Sequence, residues 1–268
     1  MKADNFLIAG NDIKMLECKN CLTDCGFDAC LSYGDEFSQN LSKFNNIVLT
    51  LPTVVNGCIS GTNETVESLA KKLMPFHRVF YGNLNDNPFG NQGICYYSDE
   101  TFLYENSRLT AQGVLRLILE NTDRDVSGLN IAVIGYGRCG QAISSMLNEI
   151  GAKVTVFSRR KESLIFSGNR QIICENTEDI DKLVQRFDVI INTVPYNIIK
   201  DNGLRNLTND NLYIEVASKP YGFDATLVDN YSFRYILASG LPGRFTPKAA
   251  GRNIAKTIIG LLKEAKNE

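Results

Sequence analysis

The sequence contains a single histidine, His77, and none beyond it in 268 residues. It has no run approaching the roughly 18 apolar residues that a membrane-spanning helix needs. It has no basic block or stripe: 28 Lys and Arg against 30 Asp and Glu give a formal charge of −2, so nucleic acid is not an expected partner. Repeats and low-complexity tracts are missing too. The opening MKADNFLIAGND carries an apolar run too short for a secretory signal and lacks a small-residue cleavage pattern. The expectation is a cytoplasmic protein without a membrane span, whose eight cysteines are reduced thiols.

What is present is ordinary globular material, 44% hydrophobic and 22% charged. At about 150 residues per domain the length predicts roughly two domains. Apolar runs at 5–10, 28–33, 46–51, 78–81 and 94–97 read as strands, and the segments 11–25 and 64–73 as helices. This alternation predicts an N-terminal α/β domain over 1–105. A helical pattern over 107–121, with Ser107 as its cap, predicts a connecting helix within 106–126. The rhythm resumes over 127–246, with strands near 131–134, 171–174, 189–194, 212–216 and 234–237, a second apolar run ending at Phe157, and helices at 138–150 and 177–186. A return helix is expected within 247–268.

The most informative stretch is Asn130–Arg160. Gly135, Gly137 and Gly140 form a G-x-G-x-x-G between a predicted strand and a predicted helix. In that setting the first glycine permits a tight turn, the second lets a pyrophosphate approach the backbone, and the third lets helix and strand pack closely. Tyr136, Arg138 and Cys139 complete the loop, and the helix start offers amides to phosphate. The reading is α/β with two domains: a C-terminal Rossmann-type doubly wound parallel sheet and a smaller N-terminal α/β domain. At the end of the second strand, where NAD binders usually place an acid, stand Ser158, Arg159 and Arg160. That set suits a 2′-phosphate, so NADP is the expected cofactor, with NAD possible. Ligands in open α/β sheets sit at the carboxyl ends of strands, which adds Thr193, Val194, Pro195 and Ser218, and the glycine-rich Gly240, Leu241, Pro242 and Gly243.

Other residues narrow the chemistry. D-2-hydroxy acid dehydrogenases share this two-domain layout, but their general-base histidine lies late in the nucleotide domain, where this chain has none. Cys18, Cys21, Cys25 and Cys30 form a row. The first three follow helical spacing, where small apolar thiols on a buried face suffice, and no paired C-x-x-C knuckle occurs, so no metal is expected.

Glu105–Gly113 (ENSRLTAQG), Ile131–Gly140 (IAVIGYGRCG), Ile190–Pro195 (IINTVP), Val216–Pro220 (VASKP) and Gly240–Gly251 (GLPGRFTPKAAG) together resemble the family of dipicolinate synthase A subunits. The last segment is the most specific, since it is not a general feature of dinucleotide folds. Cys139, Lys219 and the cysteine row depart from the family pattern. The resemblance implies oxidation of a small cyclic dicarboxylate, dihydrodipicolinate or its hydroxy-tetrahydro precursor, to dipicolinate. It also implies a flavoprotein B subunit as partner and the mother cell of a sporulating bacterium as the setting. A ring with two carboxylates wants cations and amides nearby. Arg244 and Lys248, at the start of the last helix, and Asn106, Ser107 and Thr110, at the start of the connecting helix, are therefore the candidate substrate residues, with Gly240–Gly243 beside them. The catalytic base stays unassigned and homo-oligomerisation stays open. Two other classes compete: another NADP-dependent oxidoreductase of shikimate-dehydrogenase-like layout, and a non-catalytic nucleotide-binding partner subunit.

Overall fold

The computed structural model describes residues 4–159 and 172–267. The chain divides into two compact units, Met1–Asn106 with Pro242–Glu268, and Ser107–Leu241. Among the described residues the first unit carries seven strands: β1 (Asn5–Ala9), β2 (Asp28–Ser32), β3 (Asn46–Val48), β4 (Val54–Val55), β5 (Cys58–Ile59), β6 (Arg78–Tyr81) and β7 (Gly93–Cys95). Five of them form a parallel sheet in the order β2-β1-β3-β6-β7. The short β4–β5 hairpin, which the apolar pattern does not signal, turns at Asn56 and Gly57, both at positive φ, as a two-residue hairpin turn requires.

The strands are apolar runs because both faces of the sheet are covered. Side chains alternate across a strand. Phe6, Ile8, Val48 and Phe80 pack on one face against Met15, Cys18 and Leu22 of α1 (Ile13–Asp24) and Ile254, Ala255, Ile258 and Leu262 of the C-terminal helix (Pro247–Asn267). Leu7, Ala9, Ile47 and Val79 pack on the other against Phe37, Leu41 and Leu69. Of the cysteine row only Cys18 lies in the core, where burial pushes its thiol well above the ordinary range; Cys25 is exposed at the end of α1. Among the described residues no group of three or more His, Cys, Asp and Glu side chains gathers as a metal needs.

The C-terminal helix meets α1 backbone to backbone. A Cβ on Gly251 would stand 2.1 Å from the Lys14 carbonyl oxygen and 3.0 Å from the Cys18 amide nitrogen. In the next two positions, Arg252 Nε pairs with Glu17 at 2.7 Å and Asn253 Nδ2 donates to the Phe102 carbonyl at 3.1 Å.

The connecting helix differs from expectation at its start. It runs Glu100–Asn121, and Asp99 caps it by accepting from the Phe102 amide at 2.6 Å. Ser107 is therefore an interior position and not the cap. The helix extends upstream by about two turns, because Phe102 is buried in the first unit's core and anchors them. Asn106, Ser107 and Thr110 accordingly stand in the body of the helix, without the free amides of a helix start.

The second unit holds β8 (Asn130–Ile134), β9 (Lys153–Phe157), β10 (Ile173–Glu175), β11 (Val189–Asn192), β12 (Leu212–Glu215) and β13 (Arg234–Leu237), with the helix Arg138–Glu149 following β8. All six strands are parallel, in the order β10-β9-β8-β11-β12-β13. Written from the first strand of the unit, this is 3-2-1-4-5-6, the doubly wound nucleotide-binding order, with its switch point between β8 and β11. Two local expectations change. The segment Thr177–Arg186 is a 3-10 turn, a short α-helix and a second 3-10 turn instead of one helix. Gly240–Gly243 is not an open loop: Leu241–Phe245 is a helical turn, with Pro242 in its first positions, where a missing amide costs nothing.

The Gly251 contact sets a fold test. Gly251→Ala forces two backbones apart and is expected to destabilise the protein by about 1–3 kcal/mol or more. Gly260→Ala, on the same helix with nothing within 4 Å of an added Cβ, is expected to be neutral or stabilising by up to about 1 kcal/mol. Chemical denaturation of both variants checks the pair; equal effects would show that the close approach is not required.

Candidate functional site

At the switch point of the second unit the backbone is shaped by glycine. β8 ends at Ile134, and Gly135 takes φ +96° while its amide donates to the Phe157 carbonyl at 2.8 Å. A Cβ there would lie 2.6 Å from both Thr193 Oγ1 and Val194 Cγ2. Gly140 is tighter still: its Cβ would lie 2.2 Å from the Gly135 carbonyl oxygen. Gly137 is different. It precedes the helix Arg138–Glu149, makes no side-chain cap bond, and has nothing within 4 Å of a built Cβ. The three glycines thus do three jobs: a turn, an open approach to amides at a helix start, and close packing of helix on strand. A pyrophosphate needs that set.

The neighbouring strand ends complete the rim. Thr193 Oγ1 donates to the Ile134 carbonyl at 2.8 Å, and its amide donates to the same oxygen at 3.0 Å, locking the end of β11 to the end of β8. Val194 is half-buried, while Pro195 and Ser218 are exposed. After β9, the Ser158 amide donates to the Glu175 carbonyl at 3.0 Å and Arg159 is exposed. Arg160 lies outside the described residues. Tyr136 holds the loop by accepting from Gln141 Nε2 at 3.1 Å. Cys139 Sγ is 3.7 Å from Ser107 Oγ; burial raises its thiol pKa, against lowering by the Ser107 hydroxyl and the charge of Arg138. Ser107, read from sequence as a substrate residue, therefore touches the fingerprint loop.

A polar brace under this rim was not legible as a motif. Asn192 and Glu215 end adjacent strands and are fully buried. Asn192 Nδ2 donates to Glu215 Oε1 at 2.8 Å and to the Val194 carbonyl at 2.9 Å, while its Oδ1 accepts from the Val194 amide. The Glu215 carboxylate also accepts from the amides of Ala217 and Gly222 at 3.0 and 2.8 Å. Burial pushes the Glu215 pKa up, and these donors pull it back. One carboxylate thus holds two strand-end loops in register. The signal was a glutamate and an asparagine at the ends of otherwise apolar strands, where only a paired group is tolerated.

The remaining sequence candidates divide between the units. Thr110, Gly240 and Leu241 belong to the second with Ser107. Thr110 is buried, and Leu241 is buried against Gly113, where an added Cβ would lie 2.7 Å from the leucine Cβ. Asn106, Pro242, Gly243, Arg244 and Lys248 belong to the first. There Lys248 is exposed and Arg244 lies over the Phe245 ring at 5.0 Å. His77 is structural. Its Nδ1 accepts from the Met74 amide at 2.9 Å, its Nε2 lies 3.2 Å from the Leu41 carbonyl, and burial lowers its pKa.

Comparison with known proteins agrees with this geometry. The family model for the NAD-binding domain of D-isomer-specific 2-hydroxyacid dehydrogenases matches residues 105–219, which include the glycine loop and the ends of β8, β9, β11 and β12. The chain therefore carries a nicotinamide-dinucleotide-binding domain of the dehydrogenase kind, and an oxidoreductase role follows from it. The A subunit of dipicolinate synthase from Bacillus subtilis (strain 168) is 32% identical over 97% of this chain and 96% of its own length. The crystal structure of the Bacillus subtilis dipicolinate synthase A chain superposes with a TM-score of 0.82 at 25% identity, covering all of this chain and 98% of that one. The A subunit of the Bacillus halodurans enzyme has the same fold, with a TM-score of 0.83 at 24% identity over 97% of both chains. No described helix is long and apolar enough to cross a membrane. With the fingerprint, the 3-2-1-4-5-6 strand order and a likeness that runs end to end, this chain belongs to the family of dipicolinate synthase A subunits.

Proposed function

We propose that this chain oxidises dihydrodipicolinate, or its hydroxy-tetrahydro precursor, to dipicolinate with NADP, acting beside a flavoprotein B subunit in the mother-cell cytoplasm of a sporulating bacterium. The observation that carries this reading is the 32% identity to the A subunit of Bacillus subtilis dipicolinate synthase along essentially both whole chains. The glycine geometry supports it, because the open approach at Gly137 and the close packing at Gly140 fit a bound dinucleotide.

In the proposed reaction the dihydro ring loses a hydride and a proton; the hydrated precursor also loses water. A bound NADP would supply the hydride acceptor. The chain's own residues position the reactants. The amides at the start of the Arg138–Glu149 helix bind pyrophosphate. Ser158, Arg159 and Arg160 read the 2′-phosphate through charge-assisted hydrogen bonds. Thr193, Val194, Pro195 and Ser218, held by the Asn192–Glu215 brace, border the nicotinamide. Arg244 and Lys248 supply positive charge for the ring carboxylates, with Asn106, Ser107, Thr110 and Gly240–Gly243 as further substrate contacts. Aromatisation of the ring favours the forward direction, so positioning is the main demand on the protein.

Three experiments follow. The purified chain is mixed with NADP and freshly generated dihydrodipicolinate, with and without the flavoprotein. Growth of the reduced-nicotinamide absorbance is expected from this chain alone; NADP binding without turnover in either mixture removes the oxidoreductase assignment. The double variant Arg159→Ala/Arg160→Ala is expected to weaken NADP at least tenfold, from the loss of bonds worth about 1.5–3 kcal/mol each, and to leave NAD nearly unchanged. Equal loss for both nucleotides would show that the arginines do not select between them. Gly137→Val is expected to keep the fold and lose dinucleotide binding, whereas Gly140→Ala is expected to lower the melting temperature as well. Full nucleotide affinity in Gly137→Val would move the phosphate site elsewhere.

A further inference from the structure

The first unit has a switch point of its own, between β1 and β3, and ligands in open parallel sheets gather at the carboxyl ends of strands beside such a point. Gly10, at φ +103°, leaves β1 there and leads into α1. Lys14, in the first turn of α1, is buried to 8% exposure, and its Nζ donates to the Leu51 carbonyl just beyond β3. An ammonium carries three protons. The Leu51 carbonyl takes one of them. The nearest carboxylate oxygen, Asp12 Oδ2, is 3.8 Å away, and the other oxygen of Asp12 caps α1 by accepting from the Met15 amide at 2.8 Å.

Two observations show where the unspent donors look. A Cβ built on Gly243 would have one atom within 4 Å, Lys14 Nζ at 3.9 Å. Gly243 thus sets no side chain against the ammonium, and nothing else lies within 4 Å of that Cβ position. Thr50, at the end of the extended run that begins with β3, is buried with a hydroxyl that has no partner among the described residues. Side-chain alternation puts it on the face of Val48, which is the α1 face. The segment beyond Thr50 is firm. Thr53 Oγ1 donates to the Thr50 carbonyl at 3.1 Å and accepts from the Gly82 amide at 3.0 Å.

A cation with unspent donors in a desolvated place is stabilised when an anion joins it. We propose that Lys14, uncovered by Gly243 at the carboxyl ends of β1 and β3, binds one carboxylate of the substrate. This inference deepens the dicarboxylate reading and rests on it for the identity of the ligand. It adds an interior cation to the exposed Arg244 and Lys248. A partly desolvated, pre-positioned ammonium discriminates between ligands better than a hydrated surface one. It also gives Gly243 a role of its own, since a side chain at that position would cover the charge. The lowered pKa of Lys14, caused first by burial and opposed by the charge of Asp12, agrees with a head group that lacks a full counter-charge.

The test is calorimetric titration of the full chain, with and without saturating NADP, using dipicolinate, picolinate and succinate as probes. Lys14→Met and Gly243→Val are expected to bind dipicolinate at least tenfold more weakly than wild type, and Lys14→Arg within about threefold. NADP affinity and helical content are expected to stay unchanged. Gly243→Val carries the test if Lys14→Met fails to fold. Dipicolinate binding at wild-type affinity in Lys14→Met or Gly243→Val overturns the site and leaves the proposed function standing. Binding of succinate but not dipicolinate, lost in both variants, keeps the site and overturns the substrate reading. No binding of any carboxylate overturns the site.

Discussion

The Gly135 carbonyl oxygen occupies the place where residue 140 would carry its first side-chain carbon. That contact presses the start of the Arg138–Glu149 helix against the end of β8, and the rest of the nucleotide unit is arranged around it. Because the helix comes so close, it starts directly beyond the end of β8, at Gly137, where an added Cβ would meet nothing within 4 Å. Because Gly135 turns at positive φ, Thr193 can close over it from β11 and hold two strand ends together through one carbonyl. A larger residue at 135 or 140 would displace the helix, and its first amides would no longer converge at the switch point.

The polar groups below that rim follow a different logic. Asn192 and Glu215 are costly to bury, and they are tolerated because nearly every hydrogen-bonding position is taken by a neighbour. The return is rigidity in the two loops that follow these strands. The first unit uses the opposite arrangement at its switch point, where Lys14 is buried with donors left over. A saturated network fixes a shape, whereas an unsaturated one leaves a place for something to bind.

Much of this was legible in the sequence, for physical reasons that also explain the failures. The strands around NIAVI, VIIN and LYIE are buried on both faces and so read as unbroken apolar runs. The glycine loop was legible because only glycine tolerates both the positive φ and the close approach. The start of the connecting helix was misread: Ser107 is a good cap residue in the wrong place, and the tertiary contact made by Phe102 is invisible to local pattern. Glycine and proline suggested an open loop at 240–243, yet proline near a helix start is permissive, and Leu241 is drawn into a helical turn by its packing on Gly113. Helical spacing suggested a buried face for Cys18, Cys21 and Cys25, but only Cys18 is fully buried, Cys21 packs against the core edge and Cys25 is exposed. Lys14 carried no signal at all, since one lysine after a Gly-x-Asp resembles any solvated helix start until β3 is seen beside it.

The division of the chain into units has a consequence for its synthesis. The nucleotide unit is one continuous stretch, Ser107–Leu241, whereas the other unit is built from both ends of the sequence. Chains emerge from the ribosome amino end first, and domains fold as units. The nucleotide unit is therefore complete while β1, β3 and α1 still await the helix that covers them. Until residues 247–267 emerge, the apolar face bearing Phe6, Ile8, Met15 and Cys18 lacks its cover, and Lys14 has no Gly243 beside it. A released chain ending at residue 241 would thus present a finished dinucleotide fold joined to an unfinished sheet. Such a species would bind nucleotide while depending on a chaperone for the exposed face.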